Sequence, residues 1–142
     1  MPLETIFSLA NMAALVGWIV LLASPVLPHR ARIVPRLVVP ALLAIAYVVL
    51  VLTSFGGAGG GFSTLAGVGA LFATPAVLLA GWLHFLAFDL LVGSWMIEDR
   101  ERNGLSFVVV APCLVLTFLL GPAGFLLYLV LSWSLARPAP AA

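Results

Sequence analysis

The fold of this chain is decided by one apolar stretch, residues 76–97, which reads AVLLAGWLHFLAFDLLVGSWMI. A helix needs about 20 mostly apolar residues to cross a bilayer, and this stretch supplies them. His84 and Asp89 are its only ionisable residues. An ionisable group at the bilayer centre costs about 2.5–3.5 kcal/mol on insertion scales, so such groups usually face other helices and have a task there. The stretch therefore predicts both a membrane-spanning helix and a candidate functional site.

Composition places the whole chain in the membrane class. The chain has 142 residues, of which 64% are hydrophobic and only 8% are charged. Soluble domains carry roughly 25% charged residues, so a water-facing domain is excluded. A net charge of +1 leaves no basic surface for nucleic acid. We expect a single transmembrane helical domain over residues 1–136, followed by a disordered tail, residues 137–142.

Proline and glycine divide the apolar sequence into spans. Thr74-Pro75 breaks one overlong stretch, because the residue before a proline is pushed out of helical geometry. A second overlong stretch is interrupted at 121–124, where a kink or break is expected. The predicted fold is an all-α membrane protein with four transmembrane helices and a short re-entrant or interfacial helix before the third. The four spans cover about 3–27, 37–55, 76–97 and 105–135, and the short helix covers about 63–74.

Arginine placement predicts the orientation of the spans. With four crossings, five arginines fall on one side of the membrane and only Arg137 on the other. Cytoplasmic loops are enriched in Arg and Lys, so both termini are expected on the non-cytoplasmic side. The five arginines on the cytoplasmic side are Arg30, Arg32, Arg36, Arg100 and Arg102.

His84 and Asp89 do not form a ready-made pair. They lie five positions apart, which corresponds to an offset of about 140° at roughly 100° per helical residue. Each must find partners on other helices, unless a π-bulge re-aims one of them. One interpretation is that both act directly on a ligand, and the other is that both only tie helices together by hydrogen bonds. The sequence leaves these two interpretations open.

Five further residues are candidates for contact with a ligand. Trp82 shares a helical face with Asp89, and Trp95 shares one with His84. Aromatic residues also occur routinely at membrane interfaces and in cores. Asn11, Thr117 and Tyr128 are polar residues expected at comparable depth in other spans.

Several chemistries are set aside. The chain has no P-loop, no dinucleotide fingerprint and no HExxH motif, and its single cysteine, Cys113, cannot build a thiolate metal site. We therefore expect no cofactor and no metal. No span carries the repeated polar stripe that an ion pore would need.

Three segments resemble the abscisic-acid-deficient-four-like family of small multi-span membrane proteins. They are residues 82–93 with Asp99 downstream, Ala111-Pro112-Cys113-Leu114, and Gly121-Pro122-Ala123-Gly124. The last two are similar to the bacterial branch, which implies a bacterial inner membrane. The family takes its name from a plant plastid member needed to form neoxanthin from violaxanthin.

The resemblance implies a protein of carotenoid or isoprenoid metabolism that binds a hydrophobic small molecule. It would isomerise an epoxy-carotenoid end group to an allene, with His84 and Asp89 as acid and base in an order that stays open. The alternative is a non-enzymatic pigment- or lipid-binding scaffold that supports a partner enzyme. A transporter is the third hypothesis. Small-residue faces would also allow a homo-oligomer.

Overall fold

The computed structural model describes residues 2–135, and every regular element within that range is a helix. The sequence predictions for the tail, residues 137–142, fall outside it. A 3-10 turn and a π turn precede α2, so helical structure continues from His29 to Gly57. The six α-helices are α1 Leu3–Leu22, α2 Val39–Ser54, α3 Leu65–Phe72, α4 Pro75–Arg102, α5 Phe107–Leu120 and α6 Pro122–Leu135.

Three helical stretches are long and apolar enough to cross a membrane, and they overlap the first three predicted spans with shifted ends. They are Leu3–Leu22, His29–Gly57 and Pro75–Arg102. The predicted break at Thr74 is confirmed, because Pro75 stands in the first turn of α4, where its missing N–H costs nothing. The short helix before the third span is also present as α3. Its amino end is capped by Thr64, whose hydroxyl accepts a hydrogen bond from the Gly67 N–H.

Helix α4 is the centre of the bundle and contacts the other five α-helices of the described chain. At one end of the bundle, Arg32 pairs with Glu101 at 2.8 Å and Arg36 pairs with Glu98 at 2.7 Å. We call this the arginine end, and it holds the α1–α2 and α4–α5 connections. The opposite end, where α1 and α4 begin, is called the far end.

The stretch expected to form a fourth crossing is instead two short helices. Each has 14 residues, about 21 Å of helix against a hydrocarbon core of about 30 Å. Gly121 separates them at φ +46°, a conformation that favours glycine, and Pro122 starts the second helix. Gly124 then lies directly against the backbone of Thr117 and Cys113. The two helices therefore fold back as a hairpin whose tip is residues 121–124.

The hairpin also bears on where the described chain starts and finishes. Ser132 and Trp133 of α6 share a cavity with Asn103, at the arginine end. Leu3 and Glu4 of α1 share a groove with Pro75, at the far end. The described chain therefore starts and finishes at opposite ends of the bundle. The prediction that both termini lie on one side counted residues 105–135 as a crossing, and these residues form the two short helices of the hairpin instead.

Cysteine labelling in intact membrane vesicles tests this arrangement. The single native cysteine, Cys113, is fully buried, so its background reaction is expected to be small. Exposed single cysteines are introduced as Glu4→Cys, His29→Cys and Ser134→Cys. We expect an impermeant maleimide to label Ser134→Cys from the same side as His29→Cys and to label Glu4→Cys from the other side. Labelling of Ser134→Cys from the same side as Glu4→Cys would show that residues 105–135 cross the membrane.

Candidate functional site

Asp89 lies in contact with the hairpin tip. A Cβ placed on Gly121 would lie 3.1 Å from Asp89 Oδ1 and 3.3 Å from Phe85 Cε2. Asp89 Oδ2 is buried and has no hydrogen-bond partner in the described part of the chain. An unsatisfied buried polar atom costs about 1–3 kcal/mol, and in a native fold it calls for a specific explanation. Asp89 is therefore the strongest single candidate for a functional group.

The length of α5 sets the position of this contact. Helix α5 begins after the arginine-end connection and is long enough to reach only the middle of α4, where the tip meets Asp89. The half of α4 that precedes Asp89 is thus not covered by the hairpin. On that half, Trp82 and Phe85 lie seven and four positions before Asp89, so all three fall on one helical face.

A groove between α1 and α4 runs along this uncovered half, and we call it the α1–α4 groove. Its volume is about 370 Å³, and it is lined by Leu3, Glu4, Phe7, Pro75, Leu78, Leu79 and Trp82. The Trp82 indole N–H donates a hydrogen bond to Asn11 Oδ1 at 3.0 Å, which fixes the ring. Trp82 lies 6.0 Å from Phe7 and stacks on Phe85 at 5.6 Å between ring centroids. The rings of Phe7, Trp82 and Phe85 thus form a row from the groove toward Asp89.

His84 lies on another face of α4. Its ring stacks on Phe88 at 4.5 Å and lies 5.9 Å from the ring of Tyr47. It lines a second groove of about 260 Å³, between α2, α3 and α4, which we call the α2–α4 groove. The prediction that His84 and Asp89 are no ready-made pair is confirmed. The structure does not bring the two groups into one groove.

The other three predicted site residues pack the hairpin against α4 on the arginine-end side of the tip. Trp95 meets Tyr128 edge to face at 5.6 Å between ring centroids. The Tyr128 hydroxyl donates to Asp99 Oδ2 at 2.7 Å. The Thr117 hydroxyl donates to the Cys113 carbonyl at 2.8 Å and is fully buried. Trp95, Thr117 and Tyr128 are thus remote from the α1–α4 groove, whereas Trp82 lines it and Asn11 accepts the hydrogen bond from Trp82.

Three residues of this region were not predicted from the sequence: Phe7, Phe85 and Gly121. The periodicity of α4 could have found Phe85, because it falls on the stripe of Trp82 and Asp89. Phe7 and Gly121 carry no such signal, since only the packing of α1 and of the hairpin against α4 brings them near.

An all-helical bundle with apolar helices long enough to cross a membrane, and with a buried carboxyl oxygen halfway along its central helix, defines a polytopic membrane protein. The sequence model of the ABA DEFICIENT 4-like family matches residues 5–128, so the chain belongs to this family. The match confirms the family to which the motifs pointed. No curated protein and no solved structure matches the chain.

Proposed function

We propose that the protein binds a carotenoid or related isoprenoid in the α1–α4 groove and isomerises its epoxy end group by proton transfer through Asp89. One observation carries the proposal above all. Trp82 lines the groove and stacks on Phe85, and Phe85 lies at the hairpin tip beside Asp89, whose buried carboxyl oxygen has no partner among the described residues. Membership of the ABA DEFICIENT 4-like family supports the choice of substrate class.

The groove suits a lipid-soluble ring. Small-molecule sites are mostly apolar clefts of roughly 300–1,000 Å³ with few polar groups, and the α1–α4 groove, at about 370 Å³, is of that kind. Phe7 and Trp82 are 41% and 40% exposed, so their faces are available to a polyene or a ring. The hydrogen bond from Trp82 to Asn11 orients the indole before any ligand arrives.

The reaction needs only proton transfer. A base removes a vinylic proton beside the end ring, and the electron pair of that C–H bond forms the second double bond of the allene. The epoxide C–O bond breaks, and its oxygen receives a proton and becomes a hydroxyl group. Substrate and product have the same composition, so no redox partner is consumed. A positioned acid–base group typically contributes about 10²–10⁴-fold to such a rate.

In this proposal Asp89 carries out both proton transfers. As a carboxylate it accepts the vinylic proton, and as a carboxylic acid it returns a proton to the oxygen. Asp89 is half-buried beside Phe85 and the hairpin tip, and a bound ring in the proposal would displace the remaining water from its carboxyl group. His84 faces the α2–α4 groove, so it reaches the same substrate only if the polyene wraps around α4.

The second candidate function is a binding protein without turnover, which would hold a pigment or lipid for a partner enzyme. This function is favoured by the separation of His84 and Asp89 into different surroundings. A ligand in the α1–α4 groove would lie near Asp89 alone, whereas His84 faces the α2–α4 groove. Both candidates place an isoprenoid in the same groove, so one experiment can compare them.

That experiment reconstitutes the purified protein in lipid vesicles that contain violaxanthin as the 5,6-epoxy carotenoid. We expect an allenic product of unchanged mass, identified by chromatography, mass spectrometry and its shifted absorption spectrum. Carotenoid that stays bound to the purified protein without conversion would select the binding protein. Absence of both conversion and binding would contradict both candidates.

A further inference from the structure

A separate cavity of about 1030 Å³ lies at the arginine end of the bundle. Four arginines and two glutamates contribute to its lining: Arg30, Arg32, Arg36, Arg102, Glu98 and Glu101. It is formed by the start of the second span and the end of α4, and is thus remote from the α1–α4 groove. The proposed isomerase reaction makes no use of it.

Two of these arginines have no anionic partner in the described structure. Glu101 pairs with Arg32 and Glu98 pairs with Arg36, which occupies both carboxylates of the cavity. Arg30 and Arg102 are exposed and form no ion pair within residues 2–135. The cavity therefore presents an excess of positive charge. A guanidinium forms paired hydrogen bonds with phosphate oxygens, which makes a phosphate group the best-matched anion.

The apolar surface beside the arginines indicates that this phosphate belongs to a lipid. Ile33 and Leu37 also line the cavity and are 53% and 58% exposed. From Leu37 an exposed apolar stripe continues along the second span at helical spacing, through Ile45, Val48 and Leu52. A free phosphate would use only the arginines, whereas a lipid would also place an acyl chain along this stripe.

We propose that the arginine-end cavity binds the phosphate headgroup of an anionic membrane lipid, with its acyl chain along the exposed stripe of the second span. Arg30 and Arg102 are the phosphate ligands. Arg32 and Arg36 shape the cavity through their pairs with Glu101 and Glu98. Basic residues at a membrane surface are attracted to anionic lipids, which adds to the direct contact.

Native mass spectrometry on the intact protein tests the site, with phosphatidylglycerol as the probe and phosphatidylcholine as the reference lipid. We expect the wild-type protein to bind phosphatidylglycerol more tightly than phosphatidylcholine. The double variant Arg30→Ala with Arg102→Ala should bind phosphatidylglycerol at least about tenfold more weakly than wild type. The matched control, Arg30→Lys with Arg102→Lys, keeps both charges but loses the paired hydrogen bonds, so its affinity should lie between those of wild type and the double alanine variant. Size-exclusion profiles establish that the variants are folded.

Two outcomes would overturn the proposal. The first is a double alanine variant that is folded and binds phosphatidylglycerol as wild type does. The second is displacement of the lipid by inorganic phosphate at concentrations equal to those of the lipid, which would show that the acyl chain contributes nothing. Neither outcome bears on carotenoid conversion, so this test and that of the proposed function fail independently.

Discussion

Replacing Asp89 with asparagine is expected to lower epoxy-carotenoid conversion by at least about 10²-fold, the usual contribution of a positioned acid–base group. The amide has nearly the size of the carboxyl group and fits the same contact with Gly121 and Phe85. It can neither accept the vinylic proton nor return one to the oxygen. Conversion is measured in vesicles as above, and size-exclusion chromatography verifies that the variant is folded.

His84→Ala is the matched comparison, because His84 lies on the same helix but faces the α2–α4 groove. We expect this variant to keep most of the conversion if the ring is bound only beside Asp89. Loss of conversion in both variants would mean that the substrate reaches both faces of α4. Retained conversion in Asp89→Asn would remove Asp89 from the mechanism.

Gly124→Ala is expected to cause the largest loss of stability, about 3 kcal/mol of unfolding free energy, which lies at the upper end for an overpacked site. The added methyl group would overlap the backbone of Thr117 and the Cys113 carbonyl, where α6 lies directly against α5. Backbone atoms cannot rotate away as a side chain can, so the hairpin must open. Thermal unfolding in detergent measures the effect.

Gly69→Ala provides the control for this substitution. Gly69 lies in α3, and a Cβ placed there would have no neighbour within 4 Å. Removing a glycine from a helix interior stabilises by about 0.5–1 kcal/mol, so this variant should unfold at or slightly above the wild-type temperature. Equal stability of Gly124→Ala and wild type would contradict the close packing of the hairpin.

Much of the local structure could be predicted from the sequence because it depends on short-range chemistry. Pro75 starts α4 because a proline tolerates the first helical turn and disfavours helix before it. The interruption at Gly121-Pro122 was predicted on the same grounds. The angular separation of His84 and Asp89 followed from helical geometry alone, and the structure confirms it.

The membership of the candidate site was only partly predictable. Asp89, Trp82 and Asn11 were named from the sequence, and they lie together along one side of α4. Trp95, Thr117 and Tyr128 were predicted on equal grounds, yet they lie between the hairpin and α4 on the arginine-end side of its tip, and Trp95 lines the separate cavity there. Polar and aromatic residues of the same type occur in grooves and in packed interfaces. The position of a residue along its helix does not show which other helix lies next to it, so the sequence could not separate the two cases.

The sequence by itself determined the membrane class, the family, the helical content and the places where helices stop, since composition and backbone restrictions act within a few residues. Only the tertiary structure decided the direction in which α6 runs after Gly121. That reversal requires α5 and α6 to touch at Gly124, a contact between two helices that no local preference encodes. It also decides which half of α4 stays uncovered and thereby where a ligand can approach Asp89.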